Sequence, residues 1–308
     1  MPLDHQIAAF LPFLQGAPDL ADIPPEVVRR NFRTLTVDMR DPALLPEVAG
    51  VDDVTYPAAE GERPARVYLP TGDGPFPTIL YVHGGAFFMG DLDTHDDHAR
   101  VLCHDVGAVV VSIDYRLPPE HPFPSGHLDT VAAMRHVFAT VDDLGGDRAR
   151  IAVAGDSAGA NLCAAAAIVA RDEGLPLKGQ LLIYPVTDFH DSDRHVSRVE
   201  NAAGYFLTEA DMRWSERCYA ADPADPRASV LHHPDLTGVA PAVIATAEFD
   251  PLRDEGTAYI AALEEAGVAV VQRHYETLIH GFFGMGLLSE ASATAVHELC
   301  NDLKELLG

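Results

Sequence analysis

One segment constrains the fold more than any other, because in it an apolar strand runs into a serine-centred turn and then directly into a helix. The segment is RIAVAGDSAGANLCAAAAIVA, residues 150–170, and the turn is Gly155-Asp156-Ser157-Ala158-Gly159. A G-x-S-x-G pattern between a strand and a helix is typical of a nucleophile held on a sharp turn. Glycines beside the serine let strand and helix approach closely, since they carry no Cβ. The segment predicts that Ser157 is a nucleophile held above a sheet, at a helix N-terminus.

Short β-branched runs alternate with helical stretches from residue 77 onward, which is the pattern of a mostly parallel sheet covered on both faces. The runs are 78–82, 108–115, 150–155, 180–186, 242–249 and 268–275. The predicted helices are about 126–141, 158–172, 254–266 and 289–306. Residues 51–70 predict two further strands, joined by AAEGERP, which begin the sheet in antiparallel fashion. The sequence therefore predicts an α/β protein with an eight-stranded, mostly parallel sheet flanked by helices.

Two regions interrupt this alternation and predict structure outside the sheet. They divide the chain into an N-terminal segment 1–45, a first core part 46–188, an insertion 189–226 and a second core part 227–308. The insertion carries apolar side chains among many charges, the pattern of a helix that buries one face: Tyr205, Phe206, Leu207 and Trp214. The two outer segments form either a helical cap over a pocket or an ordinary surface subdomain, and periodicity alone leaves both open.

Composition narrows the class of protein. A formal net charge of -26 disfavours a surface that tracks phosphates, which needs clustered Lys and Arg, so no nucleic-acid partner is expected. The first residues lack a positively charged start and hold only a short apolar run, so neither a secretory signal nor a membrane span is predicted. Four cysteines without a CxxC pair predict reduced thiols. We therefore expect a cytoplasmic protein.

A serine hydroxyl is a weak nucleophile at neutral pH, so the site also needs a general base and an acid that orients the base. In folds with this turn, the chain order is serine, acid, histidine. Asp250 lies just past the run 242–249, in the turn before a helix, and is the predicted acid. Glu248, two residues earlier and still within the strand, is the alternative. Asp254 is predicted to cap the following helix, where an acid accepts free main-chain N–H groups.

The base must be chosen from fifteen histidines. His280 follows the last predicted strand by a few residues, comes after the predicted acid and precedes Gly281, which allows a tight turn. His274 falls within the strand pattern, and His297 falls within the final helix pattern. Four more precede the acid: His190, His195, His232 and His233. His280 alone meets both the order and the loop position, so it is the predicted general base.

A glycine-rich loop is the third element of the predicted site. The run 78–82 leads into HGGAF, residues 83–87, and consecutive glycines let the main chain bend towards a substrate and point N–H groups at it. Acyl transfer needs such donors for the tetrahedral oxyanion. We predict Gly84, Gly85 and Ala158 as oxyanion donors. His83 is interpreted as a structural hydrogen-bonding residue of this loop.

With these residues in view, the chain closely resembles the hormone-sensitive-lipase-like family (family IV) of bacterial carboxylesterases. From about residue 80 to the end of the chain, the resemblance rests on HGGAF (83–87), DYRLPPEHPFP (114–124), GDSAGANL (155–162), YPVTD (184–188), DPRAS (225–229), EFDPLRDEG (248–256) and IHGF (279–282). It implies a capped α/β-hydrolase fold that acts on short- to medium-chain acyl esters without a metal or cofactor. It also implies that 1–45 and 189–226 build the cap, and that homodimers are common.

The chain departs from the usual family residues at three positions, Ala86, Pro118 and Ala160. None of these removes a catalytic atom, but Ala86 narrows one side of the site and so bears on substrate range. Family membership further implies that Asp156 supports the turn from beside the serine. The cap aromatic residues are expected to set acyl preference by filling the pocket: Phe10, Phe13, Tyr205, Phe206 and Trp214.

The same residues are also compatible with other functions. One is a non-catalytic binding protein similar to plant hormone receptors, although such receptors depart from the catalytic histidine, which is present here. Another is a lipase that acts on long chains at an interface. An amidase, a lactonase or a carbamate hydrolase is also open, because fold does not determine substrate. We expect a small-molecule ester as the substrate.

The run Asp93-Thr94-His95-Asp96-Asp97-His98 contains suitable metal ligands. No matching cluster with metal spacing occurs elsewhere in the sequence, and a polar surface explains the run more simply. The sequence therefore predicts no metal site.

Overall fold

The strands of this computed structural model, which describes residues 1–14 and 20–308, follow the apolar runs of the sequence. They are β1 Gly50–Pro57, β2 Glu62–Leu69, β3 Phe76–Val82, β4 Val109–Ile113, β5 Gly146–Asp156, β6 Gly179–Ile183, β7 Ala242–Phe249 and β8 Val270–Ile279. All pair into one sheet of order β1-β2-β4-β3-β5-β6-β7-β8. The sheet confirms the predicted α/β class and eight strands.

Of the described strands, β2 alone runs opposite to the others. β1 pairs antiparallel with β2, and β2 pairs antiparallel with β4, whereas every pairing from β4 through β3, β5, β6 and β7 to β8 is parallel. Parallel strands end at one edge of a sheet, and sites of open α/β sheets lie there. The residues that follow β3, β5, β7 and β8 are therefore brought to a common edge, although they are far apart in the sequence.

Helices cover both faces of the sheet within the described residues. They are α1 His5–Phe10, α2 Pro25–Arg33, α3 Asp96–Val101, α4 Ser125–Thr140, α5 Ala158–Asp172, α6 Val196–Glu200, α7 Glu209–Tyr219, α8 Arg253–Glu265 and α9 Glu290–Leu307. Leu80 and Val82 of β3 belong to a core cluster with residues of α4, α5 and α8. Ile79 and Tyr81 belong to the opposite cluster, with residues of α3 and α9. Burial on both faces explains why these strands are continuously apolar rather than alternating.

Strand ends differ from the predicted bounds where the chain enters the site. β6 ends at Ile183, before the predicted end, because Tyr184 has a φ of 39° and leaves the extended conformation. β8 continues to Ile279, beyond the predicted Tyr275, because a bulge lets Ile279 pair with Phe249 of β7. The extension matters because it places residue 280 at the very end of a strand rather than in a longer loop.

The two outer segments contribute α1 and α2 from the N-terminal segment, and α6 and α7 from the insertion. Val28 of α2, Phe88 and Trp214 of α7 are buried together in a small cluster, with the Phe88 and Trp214 rings edge to face at 4.4 Å. The segments thus meet over the loop that follows β3. Residues 15–19 of the N-terminal segment lie outside the described part of the chain. None of the described helices combines the length and the apolar character needed to cross a bilayer.

Candidate active site

The turn between β5 and α5 holds Ser157 in an uncommon backbone conformation. Its φ is 53° and its ψ is -117°, a combination that costs energy for a residue with a Cβ. The flanking glycines permit the turn: a Cβ on Gly155 would lie 2.6 Å from the carbonyl carbon of Gly159, and one on Gly159 would lie 2.0 Å from the Val82 carbonyl oxygen. The serine N–H donates to the Ile183 carbonyl at 2.8 Å. The local sequence therefore holds Ser157 at the start of α5.

The structure brings Ser157 together with His280 and Asp250. Nε2 of His280 lies 3.0 Å from the Ser157 hydroxyl, and Nδ1 of His280 lies 2.8 Å from Oδ2 of Asp250. All three side chains are buried, and Asp250 is 0% exposed. With its proton on Nδ1, the imidazole donates to the carboxylate and accepts from the serine. Asp250 Oδ1 also accepts the Leu252 N–H at 2.8 Å, which holds the carboxylate in place.

His280 is oriented by the turn that follows β8 and by a tyrosine ring. Gly281 has a φ of 82°, in the left-handed region that favours glycine, so the chain can reverse directly after the histidine. The ring of Tyr184 lies against the imidazole, with centroids 4.5 Å apart. The predicted tight turn at Gly281 is therefore present.

The alternative acids and bases lie elsewhere. Glu248 accepts from Nε2 of His274 at 3.0 Å and pairs with Arg253, so it does not orient His280. The prediction that Asp254 caps α8 is wrong: the N-cap is Leu252, and Asp254 accepts the Ser197 N–H from the insertion. His297 is exposed and lies 3.6 Å from Asp105.

In the loop after β3, one of the predicted oxyanion donors already has a hydrogen-bond partner. The Gly84 N–H donates to Oδ1 of Asp156 at 2.9 Å, so this group is already occupied and the prediction of Gly84 as an oxyanion donor does not fit. Within residues 1–14 and 20–308, no acceptor meets the N–H groups of Gly85 and Ala86. Ala158 is the first residue of α5, where an N–H has no intrahelical partner.

Ala86 is a site residue that the sequence analysis used only as a departure from the family pattern. It has a φ of 51°, and it lines the same cleft as Ser157. The free N–H groups of Gly85 and Ala86 are neighbours, as expected where the main chain turns in the left-handed region. The sequence did contain a signal for Ala86, because a residue that directly follows two glycines continues the turn that they begin.

Asp156 connects the serine turn to this loop. Its Oδ1 accepts from the Tyr81 hydroxyl at 2.7 Å as well as from Gly84. Burial acts to raise the pKa of Asp156, but His95, His98, the Tyr81 hydroxyl and the Gly84 N–H outweigh it, and the net pKa is lowered. The buried carboxyl is therefore ionised, with its charge satisfied by donors.

His83, His95 and His98 lie behind the glycine loop. His83 is buried, its Nδ1 lies 2.8 Å from the Gly84 carbonyl oxygen, and its ring stacks on Tyr115, in line with a structural role. Burial lowers the pKa of His95 to about 3, so its imidazole is neutral. Burial acts to lower the pKa of His98 as well, but the Asp97 carboxylate reverses the net direction, and the pKa is raised.

A cleft opens onto Ser157. The lining residues from the insertion are Phe189, Arg198, Leu207, Met212, Ser215 and Glu216. None of the five aromatic residues expected to fill the pocket is among its lining residues: Trp214 packs on Phe88, and Phe13 is 82% exposed. That expectation is wrong for these five residues, and the aromatic side chains that do line the cleft are Phe87 and Phe189.

Two buried ionisable groups of the cleft were missed by the sequence analysis. Glu255 of α8 is 0% exposed, and burial raises its pKa from 4.5 to about 8, against the opposing effects of the Thr187 N–H and Arg198. Arg198 of α6 is bonded to Glu209 and Glu216 of α7. Sequence carried no signal for either group, since each is buried by segments distant along the chain.

Comparison with known proteins gives the family. A family model described as alpha/beta hydrolase fold matches residues 79–284. The carboxylic ester hydrolase LipN of Mycobacterium tuberculosis is 43% identical over 287 residues, which are 90% of this chain and 75% of LipN. The ethyl acetate hydrolase of Pseudomonas putida is 34% identical over 305 residues, 94% of this chain and 95% of the relative.

A solved structure agrees over nearly the whole chain. The hyperthermophilic esterase from the archaeon Pyrobaculum calidifontis superposes with a TM-score of 0.95 at 40% identity, covering 99% of each chain. The relatives are hydrolases, so the chain is an enzyme, and the non-catalytic binding alternative is set aside. The chain therefore belongs to the α/β-hydrolase family, among the hormone-sensitive-lipase-like carboxylesterases that its motifs resemble.

Proposed function

We propose that this carboxylesterase hydrolyses short- to medium-chain acyl esters through an acyl-enzyme intermediate on Ser157. The observation that carries the proposal is the continuous hydrogen-bonded chain from the Ser157 hydroxyl to His280 and on to Asp250, with contacts of 3.0 and 2.8 Å. This geometry suits a serine activated by a general base that is itself oriented by an acid.

In the first half of the reaction, the Ser157 oxygen attacks the ester carbonyl carbon while Nε2 of His280 takes the hydroxyl proton. The carbonyl π electrons move to oxygen and form a tetrahedral oxyanion. When this intermediate collapses, the bond to the alcohol oxygen breaks, and His280 returns its proton to the departing alcohol. A water molecule then attacks the acyl-serine by the same route, which releases the carboxylic acid and restores Ser157.

The remaining residues stabilise charge during these steps. Asp250 accepts from Nδ1 of His280, which keeps Nε2 as the acceptor and stabilises the imidazolium that forms transiently. Gly85, Ala86 and Ala158 supply main-chain N–H groups for the oxyanion. Because the Gly84 N–H is bonded to Asp156, its part is to hold the loop rather than to bind the oxyanion. Each preorganised donor contributes about 10²–10³ in kcat in comparable sites.

The segments 1–45 and 189–226 act as a cap in this proposal. Support comes from α7, whose Met212 and Ser215 line the cleft that contains Ser157, and from the packing of α7 on α2 through Trp214 and Val28. One relative is named for hydrolysis of ethyl acetate, a short ester, which favours short to medium acyl chains. The homodimer and the cytoplasmic location remain predictions.

An alkyl fluorophosphonate, which phosphonylates activated serines, tests the proposal. We expect one label per chain on the peptide that contains Ser157, with hydrolysis of p-nitrophenyl butyrate lost in proportion to labelling. Ser215 is the internal control, because it lines the same cleft but donates its hydroxyl to the Met212 carbonyl oxygen. A label on another serine, with esterase activity retained, would show that the nucleophile is misassigned.

A further inference from the structure

Two histidines of the run 93–98 meet the residue before the nucleophile behind the active site. His95 and His98 flank the first residues of α3, and Asp156 ends β5. Each of the three offers one ligand atom, and these atoms all lie within 4.8 Å of one another. The three residues are buried, with exposed fractions of 3%, 9% and 6%. They take no part in the steps proposed for ester hydrolysis.

Hydrogen bonds orient each imidazole and determine which nitrogen is free. Nδ1 of His98 lies 2.9 Å from an Asp97 oxygen and donates to it. Nδ1 of His95 lies 2.9 Å from the Thr94 hydroxyl, which itself donates to the Asp91 carbonyl oxygen and therefore accepts from the imidazole. With both protons on Nδ1, each Nε2 keeps its lone pair. A histidine that ligates a metal is usually held in this way through its other nitrogen.

The carboxylate of Asp156 is held on one side only. Its Oδ1 accepts from Tyr81 and Gly84, which leaves Oδ2 as the oxygen available to a cation. Ligands around a tetrahedral zinc ion stand at about 2.0–2.2 Å from it, so two ligand atoms are about 3.4 Å apart. Donor atoms as far apart as 4.8 Å must therefore close by roughly 1.4 Å when the ion binds. Asp97 adds a second carboxylate close to the histidines, which offsets the charge of a divalent ion.

We propose that His95, His98 and Asp156 bind one divalent transition-metal ion. Two imidazole nitrogens and one carboxylate oxygen suit ions such as Zn²⁺, Co²⁺ and Fe²⁺, whereas Mg²⁺ and Ca²⁺ prefer oxygen ligands throughout. The ion is structural: it joins α3 to the end of β5 and, through the Asp156 bond to Gly84, supports the glycine loop from behind.

The test is metal binding by the whole chain, after chelator treatment and dialysis. Titration with ZnCl₂, followed by calorimetry and by elemental analysis of the dialysed protein, is expected to give one ion per chain at micromolar or tighter Kd. CoCl₂ is expected to give visible absorption bands of a nitrogen- and oxygen-ligated ion. At about 100 times Kd, the ion raises Tm by roughly 5 °C.

Variants distinguish this site from surface binding. His98→Leu removes one ligand, and its stoichiometric binding, cobalt bands and Tm shift are expected to disappear. His104→Leu is the control, because His104 is an exposed histidine that also bonds to a neighbouring aspartate, Asp105. Wild-type protein without stoichiometric binding, or stoichiometric binding retained in His98→Leu, would overturn the proposal. The wild-type titration needs no substitution, so a poorly folded variant does not leave the question open.

Discussion

The carboxylate of Asp156 accepts the main-chain N–H of Gly84 at 2.9 Å, which joins the residue before the nucleophile to the loop on the opposite side of the cleft. Both partners are adjacent to proposed catalytic groups, since Ser157 follows the aspartate and Gly85 follows the glycine. The bond therefore sets the distance between the attacking oxygen and the N–H groups that receive the oxyanion.

A Gly84→Ala substitution is expected to damage catalysis more than folding. The new Cβ would lie 2.3 Å from Oδ2 of Asp156, so the loop must move away from Ser157. We expect kcat for p-nitrophenyl butyrate to fall by about 10²–10³, as when an oxyanion donor is lost. Gly286→Ala is the control, because a Cβ there meets nothing closer than 3.7 Å. Equal activity of the two variants would argue against the role of the Asp156 contact.

Ser157→Ala is expected to lower kcat by at least ~10³, on the scale of triad deletions in other serine hydrolases, with little change in Tm. The removed hydroxyl contacts His280, so no large cavity is created. Ser215→Ala changes a serine of the same cleft and should keep near-normal turnover. Steady-state hydrolysis of p-nitrophenyl acetate measures both. Near-normal activity of Ser157→Ala would show that Ser157 is not the nucleophile.

Asp250→Asn and Glu248→Gln separate the predicted acid from its sequence alternative. An amide at residue 250 can donate to Nδ1 of His280 and so favours the wrong tautomer, which costs about 10⁴ in kcat in a comparable triad. Glu248 bonds to His274 and Arg253, so Glu248→Gln should leave kcat within a few-fold of wild type. A larger loss of kcat in Glu248→Gln than in Asp250→Asn would assign the orienting role to Glu248 instead.

Glu255→Gln is expected to change the pH dependence of stability. In the folded protein the Glu255 pKa is raised from 4.5 to about 8, so folding takes up a proton between these pH values. The contribution of this carboxyl to the free energy of unfolding is fully present below about pH 4.5 and is lost as pH rises towards 8, by up to about 1.4 kcal/mol per pH unit.

A glutamine avoids the cost of ionisation and keeps an oxygen for the Thr187 N–H, so its stability advantage over wild type should grow between pH 5 and pH 8. Urea denaturation at a series of pH values measures this difference. Glu264→Gln, on the exposed face of the same helix, serves as the reference substitution. If the difference in unfolding free energy between Glu255→Gln and wild type stays constant with pH, the buried, protonated state of Glu255 is contradicted.

Met212→Ala is expected to shift acyl preference towards longer chains. Met212 is 6% exposed and lines the cleft, so its truncation lengthens the space beside Ser157. We expect the ratio of kcat/KM for p-nitrophenyl decanoate to that for acetate to rise about 10-fold. Met134→Ala, which truncates a buried methionine of α4 outside the cleft, should lower Tm without changing the ratio. A preference of wild type for palmitate would instead favour a lipase.

The elements that could be predicted are those whose signal lies within a short stretch of chain. α5 and β7 have the predicted bounds, because strand periodicity, the serine turn and the apolar helix after it are local patterns. The triad candidates followed from chain order and from the position of each residue just after a strand. β8 was predicted too short, because its last residues are kept in the sheet by pairing with β7.

The sequence by itself determined the fold class, the family and three candidate catalytic residues, since strand ends in a parallel sheet converge and motif spacing records that convergence. Only the tertiary structure decided which N–H groups remain free for an oxyanion, which side chains of the insertion face the serine, and that Asp156 meets His95 and His98. Each of these depends on contacts between residues far apart in the chain. Hydrogen bonding and burial are properties of the folded neighbourhood, and no local pattern of residues specifies them.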